Sequence, residues 1–350
     1  MSQAIQRTAA GKREIDPSNL RRAFLYSADS TPQDGVTAAT TALTRRQFVC
    51  TSMQAAAGLA LASLATDKCF GSGKLLPPVA LFTKVCQELK LDFEQSAQVA
   101  AESGLDGIDC PVRAGGEILP EEASEKVPRY AEALRRHGLR MLLLTTGIQD
   151  VSSPHARDIL HAGKCLGIRY YRLGYWSHQP ERSPKMLVTE IRSSLKELAG
   201  LNKDLGVCGV FQNHSAPRDH SRRNAGCDLA ELFDIVKDFD PDQIGVAFDL
   251  AHALVEHGDG WHEHFERLQQ HIRVVYVKDV QRPSRFVQLG EGDFGRTDLL
   301  QLLAKMNYRA PLSLHIEYDW APKDSRSKET LVKTIKENRR VLGQWLAKVN

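Results

Sequence analysis

Four short segments of this chain carry polar side chains of a kind that does chemistry, most of them two residues apart. They are Gln212-Asn213-His214, Asp249-Leu250-Ala251-His252, Tyr276-Val277-Lys278 and His315-Ile316-Glu317. Each continues or ends an apolar run that reads as a β-strand: Val207–Phe211, Ile244–Phe248, Val274–Val277 and Leu312–Ile316. Side chains alternate along a strand, so Gln212 shares a face with His214, Tyr276 with Lys278, and His315 with Glu317. One strand-end Asp or His is ordinarily a loop cap or a surface group. Four consecutive strands that send carboxylate, amide, imidazole and amine groups to one mouth point instead to a site. Oxygen and imidazole donors suit Mn, Mg, Co or Zn, and no thiolate is placed to favour zinc.

The elements that must position these groups repeat one pattern from about residue 77. A short apolar run is followed by a polar loop and then an amphipathic helix. Four further strands are expected at Val79–Phe82, Gly107–Cys110, Met141–Thr145 and Tyr170–Leu173, with helical patterns such as Val127–His137 and Met186–Leu205 between strands. Gly104 and Gly138 stand where helices should stop. Strands spaced by helices pair in parallel through right-handed crossovers. Eight such units predict an α/β fold, a closed (β/α)8 TIM barrel, with its chemistry at the C-terminal ends of the strands. An open doubly wound sheet would carry a glycine-rich loop after its first strand, whereas here that strand runs into Thr83-Lys84-Val85.

The region before the barrel reads differently. Residues 1–40 lack periodicity; Thr44-Arg45-Arg46-Gln47-Phe48-Val49 then precedes an uncharged run from Val49 to Ala65. This pattern is that of a twin-arginine export signal, with Ser63-Leu64-Ala65 as a small-residue cleavage site. The alternative is an ordinary amphipathic helix after an over-long start. The expected organisation is a leader at 1–65, a linker at 66–76 and one barrel domain at 77–350, behind a disordered or signal-peptide N-terminus. That implies a periplasmic protein that meets the membrane only during export, or a cytoplasmic one if the leader is not a signal.

Charge supports this division. The 350 residues carry a net +3, and the first 65 hold seven basic against four acidic side chains, so the remainder balances at 39 of each. A duplex-binding protein needs a basic excess to displace counterions from phosphates, so no nucleic-acid partner is expected. The seven cysteines include no C-x-x-C pair, and Cys110 and Cys208 fall in core strands, so buried free thiols are expected.

From about residue 77 to 349 the chain resembles the sugar phosphate isomerase/epimerase family with a xylose-isomerase-like barrel. The resemblance rests on Gly107-Ile108-Asp109, Gln212-Asn213-His214-Ser215, Asp249-Leu250-Ala251-His252, Val277-Lys278-Asp279, Gly290-Glu291-Gly292 and His315-Ile316-Glu317-Tyr318. It implies a divalent metal held by Glu, Asp, His and Glu from strands five to eight, the two Glu residues also moving a substrate proton. Asp249 and Glu317 match the Asp and the last Glu, and His252 matches a substrate-contacting histidine. Gln212 and Tyr276 depart, standing where the first Glu and the metal-binding His are usual.

A Gln can ligate a cation but cannot abstract a proton. The metal ligands expected are therefore Gln212, Asp249, Glu317 and His214, with Glu317 as base. Lys278 or His252 would supply a second proton or polarise the carbonyl, although Lys278 can equally be an ion-pair partner of Asp249 or Glu317. Arg113, Arg172, Tyr276, His315 and Trp176 are the candidates for substrate contacts. For the arginines the alternative is a salt bridge, and for Tyr175, Trp176 and Trp261 it is core packing. The function implied is metal-assisted proton transfer next to a sugar carbonyl, by an isomerase or epimerase with a carbohydrate as its partner; a homo-oligomer is compatible with such a barrel. The alternatives are a lyase or hydrolase on modified glycosides, and a catalytically decayed sugar-binding protein.

Overall fold

The computed structural model describes residues 76–217 and 223–349. In chain order its strands are β1 (Val79–Phe82), β2 (Gly107–Val112), β3 (Arg140–Thr146), β4 (Tyr170–Arg172), β5 (Cys208–Gln212), β6 (Ile244–Asp249), β7 (Ile272–Val277), a hairpin of β8 (Asp279–Gln281) and β9 (Arg285–Val287), and β10 (Leu312–Leu314). Apart from the hairpin they close a barrel in the order β1-β10-β7-β6-β5-β4-β3-β2, all neighbours parallel. The eight expected barrel strands are all present. Helices Phe93–Glu102, Ala123–Arg136, Ala156–Cys165, Pro184–Leu205 and Leu229–Val236 follow β1 to β5 in turn, and Lys328–Val349 follows β10.

Local chemistry sets the helix ends. Asp92 accepts from the Gln95 amide while the Gln95 side chain accepts from Asp92, a reciprocal cap that satisfies two backbone donors. Ser183 caps the helix that opens with Pro184. Gly104 and Gly138 have φ of +70° and +72°, the left-handed geometry expected just past a helix end.

Two apolar compartments result. One lies between the strands and the surrounding helices. The other fills the barrel lumen with Leu143, Cys208, Val210, Ala247, Val274 and Tyr276. Above it the lumen turns polar. Asp109 on β2 has no exposed surface and accepts from Thr145 on β3 at 2.7 Å and Ser313 on β10 at 2.9 Å, tying three strands together. A register shift between β6 and β7 pairs Asp249 with Tyr276. Because a one-residue slip exchanges the faces of a strand, that shift puts Tyr276 on the lumen side with Asp249.

The hairpin was not expected from the sequence, and it anchors the end of β7. Asp279 accepts from the backbone N–H groups of Val280, Gly290, Gly292 and Phe294 at 2.9–3.1 Å. A β-carbon on Gly292 would come within 2.4 Å of the Asp279 carboxylate, so only glycine fits there. The Lys278-Asp279 and Gly290-Glu291-Gly292 motifs are thus two halves of one structural lock beside the barrel mouth.

Cys86, Cys110, Cys208 and Cys227 are buried free thiols, whereas Cys165 is disulfide-bonded and corrects the expectation of free thiols there. No described helix is long and apolar enough to cross a membrane. The leader at 1–65 and nearly all of the 66–76 linker lie outside the described residues.

Candidate active site

The C-terminal ends of β5 and β6 are stitched together by Asn213. Its side-chain amide donates to the Asp249 carbonyl and its oxygen accepts from the Asp249 N–H, both at 2.8 Å. These bonds aim the Asp249 carboxylate into the lumen, where it is wholly buried. One turn on, His252 is held by Ser215 through Nδ1 at 2.8 Å. Its Nε2 lies 2.8 Å from the Lys278 ammonium. An ammonium only donates, so Nε2 accepts and Nδ1 carries the proton toward Ser215. Burial, with Lys278 beside it, holds His252 well below the usual histidine range. It is therefore neutral, and its 3.6 Å approach to Asp249 is no ion pair.

Lys278 is the hub. Its Nζ lies 3.0 Å from Asp249 Oδ2, 3.0 Å from Glu317 Oε2 and 2.8 Å from His252 Nε2. Burial works against its charge, but the two carboxylates outweigh burial and raise it above the usual lysine value. Of the two alternatives read from the sequence, the ion pair is present, with both carboxylates at once. Glu317 also meets Lys84 and His315, each at 3.3 Å. Burial would raise its carboxyl, yet Lys278 with His315 and Lys84 holds it well below the usual carboxylate range.

These groups line or underlie a cavity of about 160 Å³ at the barrel mouth. Its wall includes Glu317, Lys278, His214, Gln212, Tyr276 and His315, together with Arg113 just past β2 and Arg172 at the end of β4. Asp249 and His252 lie behind that wall and reach the cavity only through Lys278 and Gln212. His214 points Nδ1 at the Ser215 carbonyl, 2.9 Å away, and burial and Lys278 lower it, so its ring is neutral. Nε2 of His214 has no hydrogen-bond partner among the described residues and keeps a lone pair toward the cavity.

Both arginines lack a carboxylate within ion-pair range among the described residues. Arg172 is 4% exposed and spends two donors on the Leu173 and Thr146 carbonyls. The Arg113 side chain makes no hydrogen bond among the described residues, and its Nε is buried without a partner. Burial and Arg172 lower its guanidinium. With Lys84 and Lys278, four cationic side chains surround a cavity whose wall holds one carboxylate.

Three residues of the wall were not read from the sequence as site residues. Lys84 and Phe82 come from the end of β1, whose sequence carries no motif, and Thr145 lies within a plain apolar strand. Trp176 is corrected. Its ring stacks on Phe211 at 5.2 Å and packs against the core rather than facing the cavity. Trp261 is likewise buried against Phe248 and Phe265. Tyr175 does reach the cavity, where it covers the Arg172 guanidinium at 4.4 Å and donates to Gln212 Oε1.

The family model of the xylose isomerase-like TIM barrel matches residues 97–342. This chain belongs to that family. Solved structures of the same fold include the IolI protein with a binding zinc atom, at 17% identity and a TM-score of 0.61, covering 78% of this chain and 99% of that one. A putative xylose isomerase from Rhodospirillum rubrum matches at 14% identity and a TM-score of 0.60, covering 77% and 99%. L-ribulose 3-epimerase matches at 17% identity and 0.57, covering 78% and 96%. No curated protein matches the chain.

A divalent cation does not fit this xylose-isomerase-like site as its residues stand. The point on which Asp249, Glu317 and His252 converge is taken by the Lys278 ammonium. Gln212 turns its oxygen to the Tyr175 hydroxyl and its NH2 to Asp249 at 3.1 Å, so it offers that point a donor and no ligand. Among the described residues no group of three or more His, Cys, Asp or Glu side chains is arranged to hold a metal ion.

Proposed function

We propose that this domain is an isomerase or epimerase that moves a proton next to the carbonyl of an anionic sugar derivative, such as a sugar acid or a phosphorylated sugar. The observation that carries the proposal is the single carboxylate, Glu317, in a cavity walled by Lys84, Arg113, Arg172 and Lys278. The fold agrees, since sugar epimerases share it at low identity.

Each group then has a task. The arginines, buried or half-buried without a carboxylate partner, take the substrate's carboxylate or phosphate in a charge-assisted pair. Glu317 removes the proton on carbon. The electron pair of that C–H bond becomes the carbon–carbon double bond, and the carbonyl oxygen gains the negative charge. Lys278, itself 4% exposed, meets that charge as a preorganised cation. His214 Nε2, just past β5 and three strands away, holds a lone pair, so it can take the proton of the neighbouring hydroxyl and pass it to the oxyanion while Glu317 returns its own proton to the adjacent carbon, which completes an isomerisation. The export signal adds a periplasmic place of action to this reading.

Gln212 favours a second reading. Clamped between Tyr175 and Asp249, it leaves one carboxylate where a symmetric epimerisation would use two. A carbon–oxygen lyase needs only one base, the same enolate expelling an oxygen substituent from the next carbon.

Incubating the full chain in deuterated water with keto and aldo sugars, their acids and their phosphates separates these readings. Deuterium in recovered substrate and an isomeric product, both lost in Glu317→Gln, are expected. A released fragment without an isomer identifies the lyase. No exchange and no product across the panel contradicts both.

A further inference from the structure

The residues expected to bind a metal surround an amine. The Lys278 ammonium donates to Glu317 Oε2 at 3.0 Å and to His252 Nε2 at 2.8 Å, and it forms an ion pair with Asp249 Oδ2 at 3.0 Å. Those are hydrogen-bond distances. A divalent transition metal in the same place would draw its ligands to about 2.0–2.2 Å. The charges also close, because Asp249 and Glu317 are balanced by Lys278 and by Lys84 at 3.3 Å. Adding a divalent ion would leave two uncompensated positive charges in a buried place, which is costly at low dielectric.

The surroundings hold Lys278 there. Its Nζ lies 5.2 Å from the centroid of the Phe286 ring on the hairpin, and Asp279, the next residue, is locked by four backbone N–H groups. The lysine is 4% exposed and Asp249 not at all. Gln212 completes the arrangement by giving Asp249 a second N–H in place of a further negative charge.

We infer that the Lys278 ammonium is the resident cation of this site, and that it competes with a divalent metal for Asp249, His252 and Glu317. The intact site therefore excludes the metal, and removing the amine converts the same ligands into a metal site. This rests on the side-chain geometry and not on the sugar reading. A metal titration can fail while deuterium exchange succeeds, and the reverse.

The test is titration of the full chain with Mn(II), followed by electron paramagnetic resonance of the free ion and by thermal unfolding. Wild type should leave the ion free and keep its Tm. Lys278→Ala should bind one equivalent at least about tenfold more tightly than wild type and gain Tm with added Mn(II), since a ligand bound only by the folded state stabilises it. Lys278→Ala/Glu317→Ala should lose both effects. Stoichiometric Mn(II) on wild type that is lost in Asp249→Asn overturns the inference and needs no Lys278 variant. A folded Lys278→Ala that leaves Mn(II) free overturns it as well.

Discussion

The Lys278 ammonium and the Asp249 carboxylate lie 3.0 Å apart in the barrel mouth, and the carboxylate has no contact with solvent. Removing one partner of a buried pair typically costs about 3–5 kcal/mol, but Lys278 keeps Glu317 and His252, so the cost here is smaller. Asp249→Ala is therefore expected to lower unfolding free energy by less than about 3 kcal/mol, and Asp249→Asn by less still because the amide still accepts a hydrogen bond. Urea unfolding of the two variants checks the order. Equal losses would mean that the charge of Asp249 is not what Lys278 needs.

Arg113 offers a cleaner probe of recognition than Arg172, because its side chain makes no hydrogen bond among the described residues. Arg113→Met should leave stability nearly unchanged. Loss of one charge-assisted contact is worth about 1.5–3 kcal/mol, so KM for an anionic substrate should rise about 10- to 100-fold while kcat changes less. An equal effect on a neutral analogue would remove the anion from the reading.

Glu117 gives a pH dependence away from the chemistry. It accepts from Thr83 at 2.5 Å, its Oε1 is buried without a partner, and burial pushes its carboxyl up from 4.5 to about 7. A carboxyl raised on folding contributes stability that is fully present below its unfolded value. That contribution is lost as pH rises from about 4.5 through about 7. Glu117→Gln lacks this loss. Relative to wild type it should gain about 2–3 kcal/mol between pH 4 and pH 8, seen as a pH-dependent gap between two urea curves. A gap that does not move with pH would place the carboxyl in a wetter setting.

We propose export from the leader sequence alone. Replacing both Arg45 and Arg46 by lysine should retain the full-length chain in the cytoplasm, whereas the native leader should yield a shorter periplasmic form. Immunoblots of the two fractions decide it, and identical fractionation of the two chains would contradict the signal.

Much of the barrel is legible in the sequence, for physical reasons. Each strand is a continuous apolar run flanked by helices with a one-sided apolar face, a pattern set by burial of the sheet on both sides. The period of two on β5, β7 and β10 likewise picks out Gln212, His214, Tyr276, Lys278, His315 and Glu317 as one wall. Other features depend on contacts between residues distant in the chain. Lys84 joins the wall because β1 neighbours β10 in the closed barrel, which brings it to Glu317. Trp176 leaves it because its loop folds the ring onto Phe211. The three-residue strands of the hairpin are too short to show a period. Two roles for Lys278 stay open in the sequence because both place the amine at the same mouth. The geometry around Nζ shows the ion pairs, with Asp249 and Glu317 both at 3.0 Å.

The most direct measurement is deuterium incorporation into an anionic sugar by the chelator-treated full chain. Exchange that persists in excess EDTA, and disappears in Glu317→Gln, is the result expected of a proton-transfer site whose cation is Lys278. Exchange that is abolished by EDTA and restored by Mn(II) would contradict it.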